Sequence, residues 1–187
     1  MSTLIAKRCF NVEEYYRMAE AGILSEDDRV ELIEGEIVEM SPIGSRRAAC
    51  IDRIVNFLLN RFAGKTAIVR VQSPIRLDDF SEPQPDISLL LPREDFYAGE
   101  HPKSADVLLL IEVADTSVEY DRTVKTSLYA RANIPEVWLI NLKKSEIEVY
   151  TKPADGSYQT IRIFKTGESF ASRILPDLML DVDSLIV

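Results

Sequence analysis

Behind Asn11 and Glu14, a pair that reads as a capping box, Val12, Tyr15, Tyr16 and Ala19 recur at helical spacing and the stripe stops near Gly22. A short first helix is predicted. After the acidic turn SEDD (residues 25–28), β-forming residues from 30 to 40 are broken once at Glu34-Gly35 and stopped by Ser41-Pro42, the pattern of a β-hairpin. From about 45 to 62, Ile51, Ile54, Val55, Leu58, Leu59 and Phe62 fall on one helical face and Arg53, Asn56 and Asn60 on the other. This is the clearest amphipathic helix in the chain.

Residues 66–77 read as a strand, and residues 86–91 as another after the polar turn DDFSEPQ. The segment 92–105 that follows is long enough to suggest a functional flap. Residues 107–113 form a nearly unbroken apolar run, the mark of a strand buried on both faces, and Glu112 interrupts it. A helix over about 117–133 is closed by Pro135, a buried strand follows at 136–141, and alternation from 146 onward (Ile147, Val149, then Tyr158, Ile161, Ile163) predicts a β meander ending in a short apolar tail. No repeat or low-complexity linker divides the chain, so one domain over 1–187 is expected. A helix joining two buried strands implies a right-handed crossover, hence an α/β (α+β) fold with a mixed sheet flanked by helices.

Composition narrows the chemistry. The chain is 46% hydrophobic with only seven glycines, enough apolar material for a real core. No window approaches the apolar length of a membrane helix and the first ten residues carry no signal-peptide run, so a cytoplasmic protein is expected. Cys9 and Cys50 lie far apart without a CxxC or Cys/His cluster, which argues against a disulfide framework and a zinc site. The single histidine, His101, reads as a loop residue, and its solitude argues against hydrolases and nucleases that rest on an imidazole. Net charge is −9, yet residues 46–76 carry seven basic residues (Arg46, Arg47, Arg53, Arg61, Lys65, Arg70, Arg76) and one acid, Asp52. That segment reads either as a local phosphate-binding face or as a solvated helix face.

Glu112 carries the most weight, because a carboxylate in a buried strand costs several kcal/mol unless it is paired or holds a cation. Asp86 opens the neighbouring strand directly after Pro85. Two carboxylates at strand ends can share one hard divalent ion, with water and substrate phosphate completing its shell. On the helix after Glu112, Asp121 falls in the middle of the apolar face defined by Val124, Leu128 and Ala132, with Lys125 at its edge. The two are spaced i and i+4, so they read either as an intrahelical ion pair or as a lysine aimed at Glu112 and Asp86. Glu31 and Glu36 are candidates for a third carboxylate, although alternation leaves Glu31 reading as a solvent-facing strand residue.

The arrangement Pro85-Asp86, Glu112 and Lys125 resembles the PD-(D/E)XK nuclease superfamily, in particular the bacterial restriction-endonuclease-like branch whose lysine has moved to the following helix. The similarity covers about residues 10–185, through VELIEGEIVEMSP (30–42), PQPDISLL (83–90), LLLIEVADTSVEYDRTVK (108–125) and LYARANIPEVWLI (128–140). It implies a restriction-endonuclease-like core, Mg²⁺ (or Mn²⁺) on Asp86 and Glu112, Lys125 as catalytic lysine and Glu31 as auxiliary acid. Ala114 stands where the lysine two residues after the acid is usual, and Arg47 where relatives carry a histidine. The expected activity is metal-dependent phosphodiester hydrolysis, with DNA as the partner and Arg46, Arg47, Arg53 and Arg61 following its backbone. Two rivals follow from the same residues: a nuclease-like fold kept as a binding module without turnover, and a dimerisation domain in which the meander pairs between subunits. A homodimer is the prior expectation for either form.

Overall fold

The structure, a computed structural model, describes residues 7–25, 27–62, 66–174 and 179–186. Glu26 of the acidic turn, Lys65 of the basic segment and the first six residues of the N-terminus lie outside it. Helix α1 (Val12–Glu20) starts at Asn11, whose side chain accepts from the Glu14 amide at 2.8 Å while the Glu14 carboxylate accepts from the Asn11 amide at 3.1 Å. That is the reciprocal capping box. Strands β1 (Val30–Ile33) and β2 (Glu36–Glu39) form the hairpin, turning through Glu34 (φ 51°) and Gly35 (φ 80°). Both turn residues are left-handed, as a two-residue hairpin turn demands. Glycine is required at 35 for a second reason: a Cβ there would lie 2.4 Å from Cys9 Cβ.

Helix α2 (Ser45–Phe62) has the bounds its apolar spacing predicts. The main sheet then assembles from β3 (Ile68–Val71), β4 (Ile87–Leu90), β5 (Val107–Ala114), β6 (Glu136–Asn141), β7 (Glu146–Ala154) and β8 (Ser157–Lys165), hydrogen-bonded in that order. Only β5 and β6 are parallel. Between them runs a helical rod made of α3 (Val118–Tyr120), a π turn (Asp121–Lys125) and α4 (Thr126–Arg131). Short β9 (Ser169–Ala171), β10 (Met179–Asp181) and α5 (Val182–Leu185) complete the order.

One departure from the sequence reading sits beside the site. The strand expected over 66–77 ends at Val71, because Gln72 turns into the left-handed region (φ 45°) and Pro74 has no amide to give a ladder. The following residues bond elsewhere: the Ile75 amide to the Pro83 carbonyl at 3.0 Å and the Arg76 amide to that of Pro102 at 2.8 Å.

Side chains alternate across the sheet and divide the core in two. Ile87, Leu89, Leu109, Ile111 and Trp138 pack toward α2 and α5, while Leu90, Leu110, Val137 and Leu139 pack toward α4 with Tyr129. Asp86, Ser88, Leu110 and Glu112 share the parity of this second face, and the site is built there. Trp138 is fully buried, meets Phe170 edge to face at 5.2 Å between centroids, and donates to Glu136 at 2.7 Å. Trp138→Ala is expected to cost about 3–5 kcal/mol, read as a lowered urea midpoint by far-ultraviolet circular dichroism. The chain's single tryptophan is lost in that variant, so fluorescence cannot report it. A shift under about 1 kcal/mol would mean that this half of the core does not hold the sheet.

Candidate active site

Asp86 stands one residue before β4, at the end of the sheet, with its backbone carbonyl accepting from the Gln72 amide at 3.0 Å. Its carboxylate is buried and receives the Val113 amide at 2.8 Å and the Gln72 side chain at 3.3 Å. Arg47, in the first turn of α2, reaches the same carboxylate and places one nitrogen 2.9 Å from each oxygen. The sequence reading put Arg47 on a face that follows a nucleic-acid backbone; the structure instead points it into the site. Its Nε is buried without a hydrogen-bond partner among the described residues, so the guanidinium is held by Asp86 alone on one side.

Glu112 lies one strand over, near the end of β5 and 3% exposed. Tyr129 donates to it at 2.5 Å and Lys125 Nζ lies 3.3 Å from the same oxygen. Lys125 also pairs with Glu31 at 3.0 Å, and Glu31 accepts the Gln84 amide at 3.0 Å. Glu31 is therefore 3% exposed, which overturns its reading as a solvent-facing strand residue. The reason is that β1 is covered on both sides, with Leu32 and Ile33 buried as well and Leu32 accepting from the Glu82 amide.

The i, i+4 pair of Asp121 with Lys125 is not the contact that forms. Lys125 goes to Glu112 and Glu31, and Asp121 accepts from Ser117 Oγ at 2.7 Å. The π turn brings this about by placing an extra residue in one helical turn, so that both charged side chains face inward, 6% and 5% exposed. Burial pulls Lys125 down, but Glu112 and Glu31 outweigh it and hold the ammonium above the ordinary lysine range. Burial pushes Glu112 up to about 8 against the attraction of Lys125, and Asp121 is raised by the same cause.

Asp86, Glu31, Asp121, Arg47, Gln72 and Lys125 line a cleft of about 240 Å³, with Glu112 behind Lys125 and Tyr129. Arg46, Arg53 and Arg61 are not drawn into this cleft; Arg53 instead bonds the Ile186 carbonyl at 3.1 Å. Tyr129 and Gln72 belong to the site and were missed by the sequence reading. Tyr129 had a signal, being four residues beyond Lys125 on one helix; Gln72 had none.

The cluster sets four carboxylates (Glu31, Asp86, Glu112, Asp121) against two cations (Arg47, Lys125). The hard oxygen donors match a divalent cation in kind, and the acid excess matches it in charge when all four carboxyls are ionised. No three His, Cys, Asp or Glu side chains among the described residues form a ready-made metal cage. Mg²⁺ does not need one, since it is commonly held by one or two carboxylates plus water and phosphate. Arg47 occupies both oxygens of Asp86, so a cation reaches that carboxylate only when the guanidinium withdraws.

Known proteins give this geometry a setting. No curated protein matches the chain. Its fold is similar to the crystal structure of a protein described as a putative nuclease belonging to DUF820, from Anabaena variabilis ATCC 29413. The TM-score is 0.70, with 19% identity over 90% of this chain and 96% of that one. At that identity the likeness speaks for the fold. The profile of the family described as "Uma2: Putative restriction endonuclease" matches residues 12–183. This is consistent with the PD-(D/E)XK superfamily, whose restriction-endonuclease-like members generally use a divalent metal. The mixed sheet, the helical rod and every carboxylate of the cleft fall inside the matched residues, and the chain belongs to the Uma2 family of putative restriction endonucleases.

Proposed function

We propose that the protein is a metal-dependent phosphodiesterase acting on DNA, with Asp86 and Glu112 as the carboxylates that hold Mg²⁺. The observation that carries this reading is Lys125, buried between Glu112 and Glu31 within one cleft with Asp86. An ammonium fixed in a desolvated site is a preorganised charge, and such a charge is worth most where negative charge develops on a phosphate. Lys125 supplies it without reorganising, because Glu31 and Glu112 fix its position from two sides. Tyr129 and the Val113 amide hold Glu112 and Asp86 at their places. A bound divalent ion would supply Lewis acidity and a water of lowered pKa. Glu31 is the auxiliary acid that keeps Lys125 charged.

The reading is tested by cleavage of labelled plasmid, linear, single-stranded and branched DNA with Mg²⁺ or Mn²⁺, beside Glu112→Gln and Lys125→Met. Losses of about 100-fold or more are expected in both variants. Lys125→Met is also expected to cost about 3–5 kcal/mol of stability, because two buried carboxylates lose their cation. Turnover unchanged in folded Glu112→Gln would remove the assignment.

One observation favours a second reading, a nuclease-like fold kept for binding without turnover: Arg47 covers Asp86 as an internal cation. The two readings separate on metal affinity. Under the first, Arg47→Ala frees Asp86 and tightens Mn²⁺ binding. Hydrogen bonds to a charged group are worth about 1.5–3 kcal/mol, or roughly 10- to 100-fold, read by titration calorimetry. No metal binding in wild type or Arg47→Ala would favour the module.

A further inference from the structure

A second pocket, of about 530 Å³, opens beside β3 against the 92–105 segment, lined by Tyr16, Arg70, Arg76, Tyr97, His101 and Lys103 among others. Its cations are not equivalent. Arg76 is paired with buried Glu82 at 2.6 Å and Lys103 with Glu100 at 2.9 Å. Arg70 has no carboxylate partner among the described residues; it donates to the Phe96 carbonyl at 2.7 Å and lies 5.5 Å from the centre of the Tyr97 ring. A carbonyl and a ring face therefore orient this guanidinium, which forms no ion pair among the described residues.

The aromatic rings beside it are held in an uncommon way. Phe96 and Tyr97 are consecutive residues in the left-handed region, φ 50° and 58°, a conformation that side chains other than glycine rarely adopt. The result separates neighbouring rings: Tyr97 is buried at 4% exposure and Phe96 projects outward at 67%. On another wall, the Tyr16 and His101 rings lie near parallel, 23° apart with centroids at 6.4 Å. Phe96 does not itself line the pocket, but its carbonyl accepts from Arg70 and it directly precedes pocket-lining Tyr97. An exposed ring and a guanidinium on adjoining residues are the pairing that stacks an unpaired base and holds its phosphate. A duplex cannot use it in the same way, since its base faces are already covered by their neighbours.

The pocket adjoins the cleft through β3. Arg70 is two residues before Gln72, whose backbone and side chain both bond Asp86, a separation of roughly 7 Å along a strand. Arg70 also pairs in register with Ser88, two residues beyond Asp86, on the sheet face that carries the cleft. A strand with a phosphate at Asp86 therefore reaches the pocket within a few nucleotides.

We propose that an unpaired nucleotide binds at this pocket, its phosphate on Arg70 and its base on the exposed Phe96 ring just outside the pocket lining, so that the substrate presents a single-stranded segment beside the cleft. The use of the pocket rests on the phosphodiesterase reading; the binding itself does not. It is tested by fluorescence anisotropy of labelled oligo-dT and of a duplex of equal length, with chelator present so that no cleavage enters. The wild-type chain is compared with Arg70→Ala, Arg70→Lys, Phe96→Ala and the exposed control Lys143→Ala. Oligo-dT is expected to bind more tightly than duplex, and Arg70→Ala and Phe96→Ala each to weaken it about tenfold or more, with Lys143→Ala unchanged. Phe96 is exposed, so its truncation should leave the melting temperature unmoved. Oligo-dT affinity unchanged in Phe96→Ala, or single strand and duplex weakened equally by both alanine variants, overturns the proposal even if the protein cleaves DNA. Binding that depends on both residues in a chain that cleaves nothing sustains the pocket and retires the nuclease reading instead.

Discussion

The site depends on one buried ammonium. Lys125 comes from the helical rod, Glu112 from the central strand and Glu31 from the hairpin, and the three meet with almost no access to solvent. An unpaired charge at that depth is costly, so each leg is stable only when the other two are present. The rest of the architecture can be read as what makes the meeting possible. The β5–rod–β6 crossover sets the helix over Glu112, the π turn rotates Lys125 inward, and the backbone around Glu82 and Gln84 docks β1 so that Glu31 closes the third side. Tyr129 then donates to the same Glu112 oxygen that Lys125 meets, Oε1.

Arg47 answers a related demand on the other side of the cleft. Asp86 is buried with only the Val113 amide and the Gln72 side chain donating to it apart from the guanidinium, and four acids near one another need more than Lys125 to offset them. Arg47 meets that need from within the chain, which makes it a competitor of any cation that would do the same. The orphan Nε shows that this side chain is not fully accommodated by its surroundings. Its hold on the site is through Asp86, and a cation that takes Asp86 removes that hold.

Much of the fold was legible because it rests on periodicity over many residues. The amphipathic stripe of α2 and the apolar runs of β5 and β6 are long, local signals, and their bounds follow from them. The β3 strand was overextended because its end is set by the left-handed Gln72 and by carbonyls of Pro83 and Pro102, which no local pattern announces. The site was legible in part for the same reason. A carboxylate inside an apolar run marks Glu112, and a lysine at the edge of an apolar stripe marks Lys125. Glu31 was not legible, since alternation distinguishes two faces of a strand but cannot say that both are covered. Its partners stand far along the chain, Gln84 by 53 residues. The contact of Arg47 with Asp86 was not legible on similar grounds: helical stepping fixes its angle on α2, while Asp86, 39 residues away, decides where its guanidinium goes.

The two halves of the proposed machinery differ in stiffness for a physical reason. Glu112 sits on β5, between β4 and β6, and Asp86 directly precedes β4 with its carbonyl held by the Gln72 amide. Arg70 lies on β3, the outermost strand at that end, and Phe96 and Tyr97 on irregular chain, where a left-handed backbone is held by local contacts such as Arg70 on the Phe96 carbonyl. Chemistry needs groups fixed to fractions of an ångström, whereas stacking an unpaired base tolerates adjustment. Placing recognition at the sheet edge and the carboxylates inside it satisfies both requirements, and β3 joins them because its last residue precedes Gln72 on Asp86. With the chain acidic overall, phosphate attraction would be confined to such local cations, so under this proposal a nucleic-acid strand gains most where Arg70 and the exposed ring act together.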